Sequence, residues 1–377
     1  MDKKRIRQSD FWFLLTLSLI IISGLVMLSS AGNFQADKLF YVKKQLGWVI
    51  LGMFIGMAVL RFDYGQIEGR GHVFYALSIV ILLAVLMFGE QQRGTTGWIK
   101  IGLLPLIQPA EFTKVLLIIA FADFLNARQG QLETFSQILP CAMYMSVPFL
   151  LVALQPDLGT ALVYIAITVV MLFVAGANPK ILLGSIAILT VLIALALLLH
   201  FQWGMPLPLD DYQINRLTAF ADPYADGKGG RGSGWNTIQS LTAIGSGGLL
   251  GKGLFEGTQV QLNFLPEHHT DFIFAVFGEE LGFIGSTVII ILYGVLLYRA
   301  VIIAYKSRDF SGTLMVVGIS AMWMFHIFEN IGMCIGLMPI TGIPLPFLSY
   351  GGSSMLSNFI AVGLLLSVNI RGKKLVF

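Results

Sequence analysis

The residues of this chain that could do chemistry are few and stand in apolar surroundings. Asp271 follows Glu267-His268-His269-Thr270, Asp157 follows Gln155-Pro156, and Glu111 and Lys114 lie three apart behind Gln108-Pro109. Glu279 and Glu280 adjoin, and His326 and Glu329 are three apart. Ser349-Tyr350-Gly351-Gly352-Ser353-Ser354 combines hydroxyls with glycines. A carboxylate can take up a proton, a cation can neutralise an anion, and the free N–H groups of a helix start suit phosphates. A charge inside lipid costs about 3 kcal/mol on insertion scales, so each of these residues needs a reason to be there.

Structural reasons compete with chemical ones at every position. Glu111 falls in the first turn after Pro109, where an acid complements the helix dipole. Asp157 has the same excuse, and Asp271 follows Thr270, a good helix cap. Glu111 and Lys114, three apart, share a helix face and can pair. Glu279 and Glu280 read as partners for neighbouring helices or a loop cation, and His326 with Glu329 as an interhelical hydrogen-bond pair. His268-His269 is a weak metal signal. Gly245–Gly253 lacks the glycine spacing and the hydroxyl of a phosphate loop, since Gly253 follows Lys252.

The elements that carry these residues follow from composition. Of 377 residues, 56% are hydrophobic and 12% charged, about half the charge of a soluble domain. That excludes a water-soluble enzyme and a disordered chain. Two cysteines in separate apolar runs give no disulfide framework, and a net charge of +3 with no basic patch points away from nucleic acid. The expected fold is an all-α integral membrane protein, one domain over 1–377. Its ten apolar spans are 11–30, 45–60, 73–88, 109–125, 135–154, 158–177, 181–199, 272–297, 312–336 and 347–368. A long external loop, 200–270, joins the seventh and eighth spans and is expected to carry part of the active site. Within it, 235–244 reads as a short interfacial helix.

Lysine and arginine set the orientation. Both ends are basic, with Lys3, Lys4, Arg5 and Arg7 at one and Arg371, Lys373 and Lys374 at the other. The positive-inside rule puts both termini in the cytoplasm. Every even-numbered span then starts at the outer face, and Glu111, Lys114, Asp157, Asp271 and the Ser349–Ser354 segment all lie at such starts. Together they are expected to surround one outward-facing site.

Longer motifs carry a resemblance. They are Gln108-Pro109-Ala110-Glu111, Gln155-Pro156-Asp157-Leu158-Gly159-Thr160, Asn215-Arg216-Leu217, Gly257-Thr258-Gln259, Phe264-Leu265-Pro266-Glu267-His268-His269-Thr270-Asp271-Phe272 and Pro344-Leu345-Pro346-Phe347-Leu348-Ser349-Tyr350-Gly351-Gly352-Ser353-Ser354. With these, nearly the whole chain resembles the SEDS family (shape, elongation, division and sporulation), and its elongation members more than its division members. The resemblance implies a ten-helix peptidoglycan glycosyltransferase in the bacterial cytoplasmic membrane. It would polymerise lipid II, an undecaprenyl-diphosphate disaccharide-peptide, on the outer face. Its partners would be a class B penicillin-binding protein and the elongation machinery. The family's essential aspartate falls on Asp271, its functional glutamate and lysine on Glu111 and Lys114, its Gln-Pro-Asp acid on Asp157, and the tryptophan before the fourth span on Trp98. Ala110 departs from the serine usual there.

The implied reaction joins two lipid-linked disaccharides: a GlcNAc 4-hydroxyl attacks the anomeric carbon of a MurNAc, and undecaprenyl pyrophosphate leaves. Asp271 is the expected base. Lys114 and Arg216 would neutralise the pyrophosphate, Glu111 would orient Lys114, and Trp98, Asp157, Ser349, Gly351, Gly352 and Ser353 complete the expected substrate site. No nucleotide is needed, and a divalent cation, Mg2+ or Mn2+, is the one candidate cofactor. The alternatives are a lipid II flippase and a noncatalytic scaffold for the penicillin-binding protein. A transporter should place its charges near the midplane, whereas these gather at one face.

Overall fold

The computed structural model describes residues 10–32, 39–92, 95–100, 106–207, 210–225 and 228–372. Lys3, Lys4, Arg5, Arg7, Lys373 and Lys374 lie outside them. The protein is a helical bundle. Its long helices are α1 Phe11–Ala31, α2 Phe40–Arg61, α3 Gly71–Phe88, α4 Pro109–Asn126, α5 Phe135–Ala153, α6 Leu158–Val174 and α7 Pro179–Trp203, then α11 Ile273–Tyr305, α12 Phe310–Cys334 and α13 Gly352–Arg371. Eight are long and apolar enough to cross a membrane. The two remaining expected spans are also helices. α4 carries Glu111, Lys114 and Asp123, and α6 has 17 residues. This is a multi-pass membrane protein, and the large apolar side chains left uncovered on α1, α2, α3 and α7 face lipid.

The centre of the bundle is made by α12 and α13, whose residues are mostly buried, while α7 has almost none of its residues covered. Small residues let the central helices close up. A side chain at Gly56 would reach the Phe359 carbonyl within 2.8 Å, and one at Gly318 would meet Ile118 within 2.7 Å. At one end, Arg299 of α11 forms an ion pair with Asp10, the cap of α1.

The 200–270 segment is not a structureless loop. α7 runs on to Trp203, and α8 Asp211–Ala221, α9 Trp235–Gly247 and the short α10 Thr258–Gln261 follow. The short helix expected at 235–244 is present. Nor is this segment purely external. Gly282 breaks α11 with φ 65° and ψ −162°, and the stretch after α9 plugs the break: Phe283 and Ile284 donate their N–H groups to Gly248 and Leu249. Gly278 abuts Ile244 and Gly282 abuts Leu249 and Gly251, so these glycines serve internal packing. Buried Glu279 pairs with Lys252 at 2.6 Å, and Glu280 accepts from Ser30 at 2.5 Å and from the Phe255 N–H. Both are structural, and Lys252 is committed to Glu279 rather than to an anion. A two-stranded hairpin, β1 Glu90–Gln92 with β2 Thr95–Trp98, lies between α3 and α4.

Candidate active site

Three helix starts and two connectors meet at one end of the bundle. α4 starts at Pro109, whose ring suits the first helical position, with Gln108 as cap. α6 starts behind Asp157, whose carboxylate accepts the Thr160 N–H at 3.0 Å and the Thr160 hydroxyl at 2.9 Å. α13 starts at Gly352. They converge because Gln108 ties them: its side chain donates to Asp157 Oδ2 at 3.0 Å, and its N–H to Ser353 Oγ at 3.0 Å.

Between them opens a cleft of about 810 Å3, including its open mouth. Trp98, Asp157, Arg216, Asp271, Gly351, Gly352 and Ser353 line it, seven of the expected residues drawn from five separate stretches of chain. Trp98 comes from β2 and Arg216 from α8, where its guanidinium lies 4.3 Å over the Tyr212 ring. Gly342, with φ +78°, brings the 339–351 connector close. A side chain there would lie 3.4 Å from Asp271 Oδ2 and 3.9 Å from both terminal nitrogens of Arg216. Asp271 and Arg216 therefore flank one backbone point.

Asp271 does not open a helix as its position after Thr270 suggests. α11 begins at Ile273 with Phe272 as cap, and the Thr270 hydroxyl turns back to Glu267. Asp271 sits in the turn before the helix, so completing a helix cap does not account for it. Its carbonyl accepts from Asn330 Nδ2 at 2.8 Å, and the same nitrogen donates to the Ile343 carbonyl at 2.8 Å. Asn330, fully buried on α12, thus staples the Asp271 turn to the connector that supplies Thr341, Gly342, Pro344 and Tyr350 to the cleft. Glu329 supports the same connector by accepting from the Thr341 hydroxyl at 2.5 Å.

Three expected site residues do not reach the cleft wall. Ser349 is buried, and its hydroxyl accepts the Leu345 N–H at 2.8 Å, closing a turn. Lys114 is 1% exposed, with Nζ 2.6 Å from Glu111 Oε1 and 3.0 Å from His326 Nε2. Glu111 accepts from Ser357, about one turn along α13 from the cleft-lining Ser353 and Ser354. The Glu111–Lys114 pair therefore lies beneath the cleft, and as placed Lys114 does not meet an anion in it. His326 pairs with Lys114 and the Pro344 carbonyl, not with Glu329.

The described residues offer no ligand cluster for a resident metal. Among the described residues no three His, Cys, Asp or Glu side chains cluster. The Asp157 oxygens are committed to Thr160 and Gln108. His268, next to the site, turns both ring nitrogens to carbonyls, Leu265 at 2.7 Å and Ala31 at 3.1 Å.

Gln108, Asn330, Thr341 and Gly342 are site residues that the sequence did not single out. Gln108 stood inside a motif, but its tie to Asp157 spans 49 positions. Asn330 is one more polar residue in a largely apolar helix, with no local partner to mark it.

Comparison with known proteins agrees with this architecture. Residues 9–374 match the cell cycle protein model that covers FtsW, RodA and SpoVE. Stage V sporulation protein E of Bacillus subtilis is 38% identical, covering 98% of this chain and 99% of that protein. Peptidoglycan glycosyltransferase MrdB of Escherichia coli K12 is 34% identical, covering 96% and 93%. A solved structure described as "Structural coordination of polymerization and crosslinking by a peptidoglycan synthase complex" has TM-score 0.77 and 30% identity, covering 96% of this chain and 97% of that one. A family match over nearly the whole chain, with a shared fold, decides the family: the chain belongs to the FtsW/RodA/SpoVE family of cell cycle proteins.

Proposed function

We propose that this protein is a peptidoglycan glycosyltransferase that polymerises lipid II on the outer face of the bacterial cytoplasmic membrane during elongation and shape maintenance. The observation that carries the reading is the shared cleft, where Asp271 and Arg216 flank Gly342 beside the Gly351–Ser354 helix start. Asp271 takes the proton of the acceptor 4-hydroxyl as that oxygen attacks the donor anomeric carbon. Arg216 and the N–H groups at the start of α13 meet the departing pyrophosphate. Tyr350 and Trp98 offer rings to the sugars, and Asp157, held by Gln108 and Thr160, shapes the wall. A divalent cation, Mg2+ or Mn2+, would travel with the pyrophosphate, and no step depends on it. Glu111 and Lys114 act from below as a buried support. The polyprenyl tails stay in lipid, so the substrate need not leave the membrane.

The partner in this reading is a class B penicillin-binding protein of the elongation machinery, which cross-links the strands. The similarity to a synthase complex described as coordinating polymerisation and crosslinking supports it.

Purified protein incubated with lipid II and no nucleotide tests the reading. Glycan polymer is the expected product, and its yield should rise with the partner. A transporter or a scaffold makes none, so absence of polymer in both arms would remove the enzyme reading. Orientation has its own test. Single cysteines at Gly230 and at Lys374 should label from opposite sides of intact cells, and labelling of both from outside would overturn this topology.

A further inference from the structure

A second opening lies at the other end of α4. Val59 and Phe62, at the end of α2, and Ile67 from the connector to α3 form its upper wall, and Leu116, Ile119 and Leu364 its floor. It encloses about 940 Å3, including its open mouth. It is far from the cleft. α4 begins at the cleft with Pro109 and ends at Asn126, whose side chain donates to Glu68 of this connector at 3.0 Å. From Leu116 to Asn126 the helix rises about 15 Å at 1.5 Å per residue, half of a hydrocarbon core of about 30 Å. The floor of the groove thus lies about half a hydrocarbon core from that helix end, and its lining is apolar except at the mouth.

The mouth carries a guanidinium that pairs with no described carboxylate. It holds Arg70, Asp63 and Gln66. Asp63 is paired with Arg371 at 3.5 Å. Two acids lie nearby, and both are occupied: Asp123 accepts the Gly69 and Gly71 N–H groups at 2.8 Å each, and Glu68 is held by Asn126. Arg70 is exposed and pairs with no carboxylate among the described residues. The basic residues Arg61 and Arg371 stand on the same rim, Arg371 donating to the Leu60 and Arg61 carbonyls.

We propose that this groove binds an anionic glycerophospholipid of the leaflet away from the cleft, with an acyl chain along Leu116, Ile119 and Leu364 and its phosphate on Arg70. An apolar slot whose floor lies within one leaflet suits an acyl chain, and an unpaired guanidinium at its mouth selects for negative charge. Which leaflet this is depends on the proposed orientation. The binding itself does not, and it can fail without touching the glycosyltransferase reading.

The test uses the purified full chain, native mass spectrometry, and phosphatidylglycerol or phosphatidylcholine of identical acyl chains. One arginine near a headgroup corresponds to about fivefold in retention. Phosphatidylglycerol should be retained about fivefold over phosphatidylcholine, and Arg70→Glu should remove that preference while Arg70→Lys keeps it. Arg70 makes no ion pair, so both variants should fold and unfold at the wild-type temperature. Phosphatidylglycerol carrying a photoreactive group in its acyl chain should cross-link to peptides containing Val59–Phe74, Leu116–Ile119 or Leu364. Equal retention of the two lipids, an unchanged preference in Arg70→Glu, or cross-links confined to other helices would overturn the proposal.

Discussion

Lys114→Ala is expected to unfold the bundle more readily than any surface change, by about 3–5 kcal/mol, and to lose most polymer synthesis. Lys114 is 1% exposed and its ammonium spends two of its three donors on Glu111 and His326. Without it, the Glu111 carboxyl is left at 3% exposure with only the Ser357 hydroxyl, at 3.3 Å, as side-chain donor. An uncompensated buried charge costs more than a lost pair, so the double variant Glu111→Gln, Lys114→Met should be more stable than Lys114→Ala alone. Lys114→Arg should not restore full function, because a planar guanidinium does not fit a site shaped for an ammonium between two partners. Activity falls with stability because the pair supports the cleft. His326 holds the Pro344 carbonyl at 3.2 Å, and Pro344 lines the cleft. Thermal unfolding of the purified variants and polymer yield read the two effects. A Lys114→Ala protein as stable as wild type would contradict this account of the pair.

Much of the fold is legible in the sequence because a bilayer writes its thickness into each apolar run. The helix positions, the Glu111–Lys114 pairing at three positions, and the structural roles of Glu279 and Glu280 all follow from local spacing. What is not legible depends on distant chain. Lys114 finds His326 212 positions away, and Asp271 is anchored by Asn330 59 positions away. No periodicity reports such contacts. Local rules also mislead at two points. Thr270 satisfies the pattern of a helix cap, yet its hydroxyl turns back to Glu267 and the helix waits until Ile273. Gly282 stands inside an apolar run that reads as one unbroken helix, yet it breaks α11 so that the 248–251 stretch can bond inside it. Motif identity placed seven residues in the cleft but could not tell that Ser349 and Lys114 belong to the structure around it.

The cleft reading rests on Asp271, and substitution by asparagine tests it with the least disturbance. Asparagine keeps the shape and leaves the backbone carbonyl that Asn330 and Cys334 engage. What it cannot do is take a proton from the acceptor hydroxyl, a contribution worth about 10²–10⁴-fold in rate. Asp271→Glu keeps the carboxylate but moves it by about one methylene, and a shift of about 1 Å can cost 10²-fold, so a trace of activity should remain. The decisive measurement is glycan polymer formed from lipid II by purified Asp271→Asn protein whose thermal stability, lipid II binding and partner binding match wild type. The account predicts almost no polymer from that protein. Polymer at near wild-type rate would contradict the assignment of Asp271 as the base and, with it, the chemistry proposed for the cleft.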